Sequence, residues 1–257
     1  MTQERGTEIQ LYDSVEAIAA AYERRRAEIQ KVTTAAEAAG LKMKSDYLTE
    51  HKQEAWRDIL EKSNARQWMT TKQESDVTRM LYDKPKDLPE ITVDGLREWL
   101  LDLVTACPDM LRDLCREAFE VLTPQARRGR DYKSNADKRE IPRSGRVVLT
   151  WMCDQNKWVD TPRLSCGRSQ PLNVLDRVFA LLAGRAKPED NYQTGDMQTA
   201  VGLCEKASKS GESEVETFWG RLKMHKNGNL HIWLTRPDLV KRLVEVAAGK
   251  NIGQAAA

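Results

Sequence analysis

Two of the chain's three histidines, His225 and His231, stand on either side of an Asn227-Gly228-Asn229 turn signal. A hairpin there would bring their rings onto one face. Paired imidazoles beside the cations Arg221 and Lys223 suit metal-independent cleavage of RNA. One ring takes the 2′-hydroxyl proton, the other protonates the leaving oxygen, and a cation steadies the phosphorane. Two histidines fall short of the three or four protein ligands of a zinc site. The same residues also suit an ordinary solvated strand face.

Burial selects the register of this hairpin, because a slip of one residue sends every side chain to the opposite face. A two-residue Asn227-Gly228 turn would set His231 and Trp233 beside Leu222 and Met224, mixing polar with apolar. A three-residue Asn227-Gly228-Asn229 loop pairs Met224 with Ile232 and Leu222 with Leu234. One face then carries Phe218, Leu222, Met224, Leu230, Ile232 and Leu234, and the other Trp219, Arg221, Lys223, His225, His231 and Trp233. In that register the two histidines are directly opposed, with Cβ atoms roughly 4.5–5.5 Å apart. Asn229 takes the left-handed conformation that asparagine tolerates.

A second cluster lies between residues 127 and 146, where eight basic residues (Arg127, Arg128, Arg130, Lys133, Lys138, Arg139, Arg143 and Arg146) outnumber Asp131, Asp137 and Glu140. Arginines there could grip phosphates in bidentate fashion, with Tyr132 stacking on a base and Ser134 and Asn135 offering neutral hydrogen bonds. A solvated charged loop is the alternative. Of the seven tryptophans, Trp56 and Trp99 lie on or beside helical stripes and Trp151 belongs to an apolar run, which points to core packing. Trp219 and Trp233 fall on the polar hairpin face, where something must cover an aromatic ring. His51, on an expected helix, is read as a surface residue. Walker, Rossmann, HExxH and nucleophile-elbow patterns are absent from the sequence, and no motif calls for a cofactor or metal.

The elements that position these residues follow from periodicity. In 257 residues, 40% are hydrophobic and 31% charged, enough for one good core or two modest ones. Ser14 is placed to cap a helix with Val15, Ile18, Ala19 and Tyr22 on its stripe. A second helix over 46–66 lines up Leu48, Ala55, Trp56, Ile59 and Leu60, and Thr71-Lys-Gln-Glu74 reads as a capping box opening a third. Lys84-Pro-Lys-Asp-Leu-Pro89 breaks the chain, so a helical N-terminal region is expected over 1–88 and an α+β domain over 89–257. A long seam from Val93 to Leu122 predicts a core helix, with a kink or short break near Cys107 where Pro108 lacks its N–H. Val147–Met152 reads as a buried strand, and helices follow over Leu172–Leu182, 196–207 and Pro237–Ala247. The fold class is therefore α+β, a helical region followed by a small, mainly antiparallel sheet flanked by helices.

The net charge of +2 excludes a strongly basic histone-like binder and an acidic nucleic-acid mimic. The five cysteines are scattered without a CxxC pair, as expected of reduced thiols in a cytoplasmic protein. The start, Met-Thr-Gln-Glu-Arg, has no apolar signal region, and no stretch approaches the roughly 20 apolar residues of a membrane span, so no membrane partner is expected.

Several separated pieces carry a family likeness. His225-Lys-Asn-Gly-Asn-Leu-His231-Ile-Trp-Leu-Thr-Arg236-Pro-Asp238-Leu-Val240 resembles the closing strand and short terminal helix of the bacterial and phage family called domain of unknown function 4942. Tyr132-Lys-Ser-Asn135 with Gly145-Arg-Val-Val-Leu149 resembles another of its segments, and Asp176-Arg-Val-Phe-Ala-Leu-Leu-Ala-Gly184 a helix end. The stretch from Trp56 to Met69 is similar too, and the likeness covers about residues 50 to 250. The family typically has an aromatic residue where this chain has His225 and an aspartate where Ala183 stands. The resemblance thus shifts weight from the histidine pair to His231 with Asn227, Asn229, Arg236 and the Tyr132–Asn135 segment. It implies a setting on prophages, plasmids and genomic islands, in phage–host conflict, and supplies no activity.

Three functions remain open. The first is a nucleic-acid-binding accessory protein of a mobile element, taking RNA or DNA on Arg127, Arg128, Arg130, Lys133, Asn135, Lys138, Arg139, Arg143, Arg146, Lys223, Lys226, Trp233 and Arg236. The second is a small ribonuclease with His231 as acid or base, Lys133 or Arg221 stabilising phosphate charge, and Asn229 or Tyr132 positioning substrate. The third is a protein-binding adaptor or inhibitor anchored by Trp219 and Trp233, with self-association through the N-terminal helices.

Overall fold

The computed structural model describes residues 4–40, 47–123, 141–142, 145–154, 161–185, 190–191, 196–197 and 199–249. The chain divides into two compact units, Met1–Pro108 and Asp109–Ala257. The fold is α+β, with eight helices and a four-stranded antiparallel sheet among the described residues.

In the first unit, α1 (Glu4–Ala38), α2 (Tyr47–Lys62), α3 (Ala65–Trp68), α4 (Thr71–Asp83) and the start of α5 (Val93–Leu122) build a helical core. α1 already runs from Glu4, so Ser14 lies inside the helix instead of capping it, while Val15, Ala19 and Tyr22 are buried at helical spacing. His51 is buried, at 8% exposure, and is no surface residue. Its ring stacks on Tyr22, centroids 4.7 Å apart, and Nε2 lies 3.2 Å from the Tyr22 carbonyl. The capping box sits one residue earlier than expected. Thr70 Oγ1 accepts from the Gln73 N–H, and Gln73 Oε1 accepts from the Thr70 N–H at 2.8 Å. The proline-bounded segment after α4, with a 3₁₀ turn at Pro85–Asp87, is held on α2 by three polar contacts. Trp56 Nε1 donates to the Pro89 carbonyl at 2.8 Å, and Lys52 Nζ donates to the Leu88 carbonyl at 2.8 Å and pairs with Glu90 at 3.1 Å.

α5 is assigned as one helix through Pro108. Its seam is buried at Leu96, Leu111, Leu114, Ala118 and Leu122, and half-buried at Leu100, Leu103 and Cys107.

The second unit carries β1 (Arg146–Leu149), α6 (Gln170–Leu182), a short ladder of β2 (Asp190–Asn191) with β3 (Asp196–Met197), α7 (Ala200–Ser210), β4 (Glu214–Glu216), β5 (Gly220–Met224), β6 (Leu230–Leu234) and α8 (Pro237–Ala247). α7 begins four residues later than periodicity predicts, because Thr199 caps it through Gly202 N at 3.1 Å and residues 196–197 are extended. The four-stranded sheet has the order β1-β6-β5-β4. Its apolar face, Val147, Leu149, Leu222, Met224, Leu230 and Ile232, is buried together with Leu172, Leu175, Val178 and Phe179 of α6, Cys204 and Ala207 of α7, and Leu239 and Leu243 of α8.

The hairpin register differs from the expected one by two residues. Met224 pairs with Leu230, Leu222 with Ile232 and Lys223 with His231. The loop is Lys226-Asn227-Gly228. Gly228 N donates to the His225 carbonyl at 3.0 Å, His225 N donates to the Asn229 carbonyl at 2.9 Å, and Gly228 rather than Asn229 takes the positive φ of 86°. This is a turn closed by a glycine bulge, in which glycine meets the left-handed requirement without a Cβ penalty. A shift of two preserves the faces.

At the other end of β5 the alternation stops. Thr217 N donates to the Gly220 carbonyl at 2.7 Å and Thr217 Oγ1 accepts from Gly220 N at 3.0 Å, so the strand begins at Gly220 and Trp219 is not on the polar face. Trp219 is fully buried, stacked on Phe179 at 5.3 Å. The strands approach closely here: a Cβ on Gly220 would lie 2.8 Å from the Trp233 carbonyl oxygen. Gly220→Ala is expected to push β5 from β6 and lower stability by roughly 1–3 kcal/mol, the range for overpacking. Urea unfolding checks this, and a loss below about 0.5 kcal/mol would show that the backbones need not be so close.

Candidate functional site

The sheet face opposite the helices is built in cross-strand rows, and β-pairing alone decides which side chains meet. Arg146 of β1 lies opposite Trp233 of β6, which lies opposite Arg221 of β5, itself paired with Glu216 of β4. In the adjoining row Val148, His231, Lys223 and Glu214 stand side by side. Trp233 is thus flanked by two guanidinium groups, Arg221 at 4.6 Å and Arg146 at 5.7 Å from the ring centroid. Two anions share this face: Glu216, cross-strand from Arg221, and Glu214, whose carboxylate lies 3.2 Å from Arg221 and 3.4 Å from Lys223.

His231 is held from both sides. Arg146 Nη2 lies 3.0 Å from His231 Nδ1. A guanidinium can only donate, so Nδ1 accepts and the neutral ring carries its proton on Nε2. His225, although diagonal to His231 in the ladder, folds its ring onto it, centroids 4.0 Å apart and planes tilted by 44°. His225 Nε2 is buried without a hydrogen-bond partner in the structure. Position 225, where an aromatic residue was expected from the family likeness, is used here as a packing ring.

Both imidazoles are held below the ordinary histidine value. For His225 burial is the main cause, followed by the positive charges of Lys223 and Arg146. For His231 burial again leads, with His225, Arg146 and Lys223 adding to it. Both rings are therefore neutral at pH 7. Depressed values in the folded state mean that the unfolded chain takes up protons first as pH falls below about 6.5. Stability is therefore full above that pH and declines as acid approaches the two folded midpoints. Proton NMR of the ring Cε1–H signals should place both midpoints below 6.5, and a midpoint at or above 6.5 for His231 would contradict this environment.

The structure brings His231, Arg221, Lys223, Arg146 and Trp233 together, with Lys226 exposed at the hairpin tip and Asn229 beside it. Arg236, at the start of α8, forms a bidentate pair with Asp238 at 2.6 and 2.9 Å, which pulls the Asp238 carboxyl down to about 2. Arg127, Arg128, Arg130, Tyr132, Lys133, Asn135, Lys138, Arg139 and Arg143 lie outside the described residues. Among the described residues no cluster of three or more His, Cys, Asp or Glu could hold a metal ion. Near the hairpin tip, burial pushes the Cys153 thiol up to about 11, and its Sγ lies 3.5 Å from the Asn229 carbonyl, so it is no ready nucleophile.

Two further residues lie where the sequence reading did not place them. Asp176, in α6, is 3% exposed; its Oδ1 accepts from Trp219 Nε1 at 2.7 Å and its Oδ2 from the Ala200 N–H at 2.7 Å. It ties the turn before β5 to the start of α7. Its signal in the sequence was a carboxylate set among Leu172, Leu175 and Phe179, a position that must be buried and therefore must be paired. Trp151, expected in the core, is 55% exposed.

The family model described as Domain of unknown function (DUF4942) matches residues 48–252, and the chain belongs to that family. The match takes in the whole candidate face. No curated protein and no solved structure matches the chain. No helix among the described residues is long and apolar enough to cross a membrane.

Proposed function

We propose that this member of the DUF4942 family binds nucleic acid on the polar face of its sheet. The observation that supports it most is the row Arg146–Trp233–Arg221, which sets an aromatic ring between two guanidinium groups beside His231 and Lys223. Bases stack on such rings without regard to sequence, and arginine and lysine take the phosphates. Glu214 is a weak competitor. Its pairs with Arg221 and Lys223 are partly exposed, and such pairs are worth about 0–1 kcal/mol, so an incoming phosphate can replace it. The net charge of +2 then matters less than this local patch. We place the activity in the setting that the family likeness implies, as an accessory of a mobile element or prophage in phage–host conflict.

Binding fits the histidines better than cleavage does. In-line displacement puts the attacking and leaving oxygens on opposite sides of phosphorus, so an acid and a base must stand apart by the phosphate plus two hydrogen bonds of about 2.6–3.2 Å each. Rings whose centroids are 4.0 Å apart do not match that spacing for the His225–His231 pair, and cleavage by His231 alone is an outcome of the test below. The acid must also be protonated, and both rings here resist protonation.

The test is incubation of full-length protein with labelled RNA and DNA in chelator, scoring binding by anisotropy and cleavage on gels. Binding that weakens with salt and leaves the strands intact is expected. Cleavage abolished by His231→Ala would replace this function with a ribonuclease, and absence of both binding and cleavage would replace it with a protein-binding role.

A further inference from the structure

We propose that Trp151 is a second base-stacking platform on the same path, so that the ligand is a single strand rather than a duplex; this rests on nucleic-acid binding by the sheet face. The motivating observation is the conjunction of an exposed ring with an unfavourable backbone. Trp151 is 55% exposed and has a φ of 63°, in the left-handed region that bulky residues rarely enter. Its neighbours force this. Met152 N and Cys153 N both donate to the Gly228 carbonyl, at 2.9 and 3.1 Å, and Ser165 N donates to the Met152 carbonyl at 2.9 Å. Met152 and Cys153 are buried at 4% and 3%. The backbone is pinned on the far side of Trp151 and by β1 on the near side, so the turn between them must be taken at this residue. Glycine would take it without strain. A tryptophan there is held in a poor conformation with much of its ring in water, and packing does not account for it.

Its position supplies the ligand. β1 runs antiparallel to β6, so the end of β1 lies at the hairpin tip, whereas the Arg146–Trp233 row lies at the opposite end of the strands. Thr150 lies four residue steps beyond Arg146, about 13 Å at roughly 3.3 Å per residue. Between the two tryptophans along the strands lie His231 and Lys223, with His225 and Lys226 at the tip. Two aromatic platforms with Lys223 between them and Lys226 at the tip fit a strand whose bases are free to turn onto protein rings. In a duplex the bases are stacked on one another and paired, and cannot do this.

The experiment compares wild type, Trp151→Gly and Trp233→Ala for binding to single-stranded and duplex RNA and DNA of one sequence. Expected are a preference of wild type for single strands and a loss of roughly 5- to 150-fold in single-strand affinity for Trp151→Gly, the effect of removing one stacked base. The melting temperature of Trp151→Gly should be at or above that of wild type. Unchanged affinity in Trp151→Gly alongside a loss in Trp233→Ala would overturn the second platform and leave nucleic-acid binding standing. Preference for duplex would overturn it as well. Failure of wild type to bind any strand would sink nucleic-acid binding and this inference together. If the glycine variant melts lower, photo-cross-linking of wild type to a halogenated single strand decides: attachment at Trp151 supports the proposal, and attachment confined to other residues refutes it.

Discussion

Asp176→Ala is expected to cost roughly 2–6 kcal/mol, since it leaves two buried donors unpaired at about 1–3 kcal/mol each. The donors are Trp219 Nε1 and the Ala200 N–H, both 2.7 Å from the carboxylate. Against a usual margin of 5–15 kcal/mol this removes a large part of the unit's stability. Asp176→Asn should rescue little, because an amide has one acceptor oxygen and would aim an NH₂ group at the second donor. Trp219→Phe separates the contributions. It keeps the stacking on Phe179 and removes one donor, so its effect should be non-additive with Asp176→Ala. Urea unfolding followed by circular dichroism gives all three values. Full additivity would show that the carboxylate acts through other contacts.

The sheet face was legible in the sequence to the extent that parity governs it. A register error of two residues leaves His231, Arg221, Lys223 and Trp233 on one face, because side chains alternate with period two. The exact loop was not legible, since either three-residue choice contains Gly228, and only the hydrogen bonds show that the left-handed position falls on the glycine. Errors came where alternation or an apolar run was carried past a turn. Trp219 was assigned by extending β5 through Gly220, where the Thr217 turn breaks the pleat. Trp151 was assigned by reading Val147–Met152 as one strand, whereas pairing ends at Leu149. His51 was read as a surface residue of its helix, whereas its ring stacks on Tyr22 in the core, a contact no local pattern encodes. The contact of Arg146 with His231 depends on β1 pairing with β6 across more than eighty residues, and no local pattern encodes such a partner choice.

Removal of the Trp233 ring should give the largest loss of function. Trp233→Ala is expected to weaken nucleic-acid binding by roughly 5- to 150-fold, from a stacked base worth about 1–3 kcal/mol. Trp233 also lies between Arg146 and Arg221, so its removal takes away the ring both guanidinium groups rest against and adds to the loss. The ring is only half-buried, so the fold should survive, and the melting temperature provides that control. Arg221→Gln should behave differently. One fewer phosphate contact reduces the slope of log K against log salt by about 0.7 for a single strand, whereas loss of a stacking ring lowers the line and leaves its slope. The two variants therefore distinguish stacking from charge in one salt titration. Equal slopes for wild type and Arg221→Gln would show that this arginine serves Trp233 and Glu214 and not a phosphate. An unchanged line for Trp233→Ala would remove the ring from the binding surface, and with it the main support for nucleic acid as the ligand of this face.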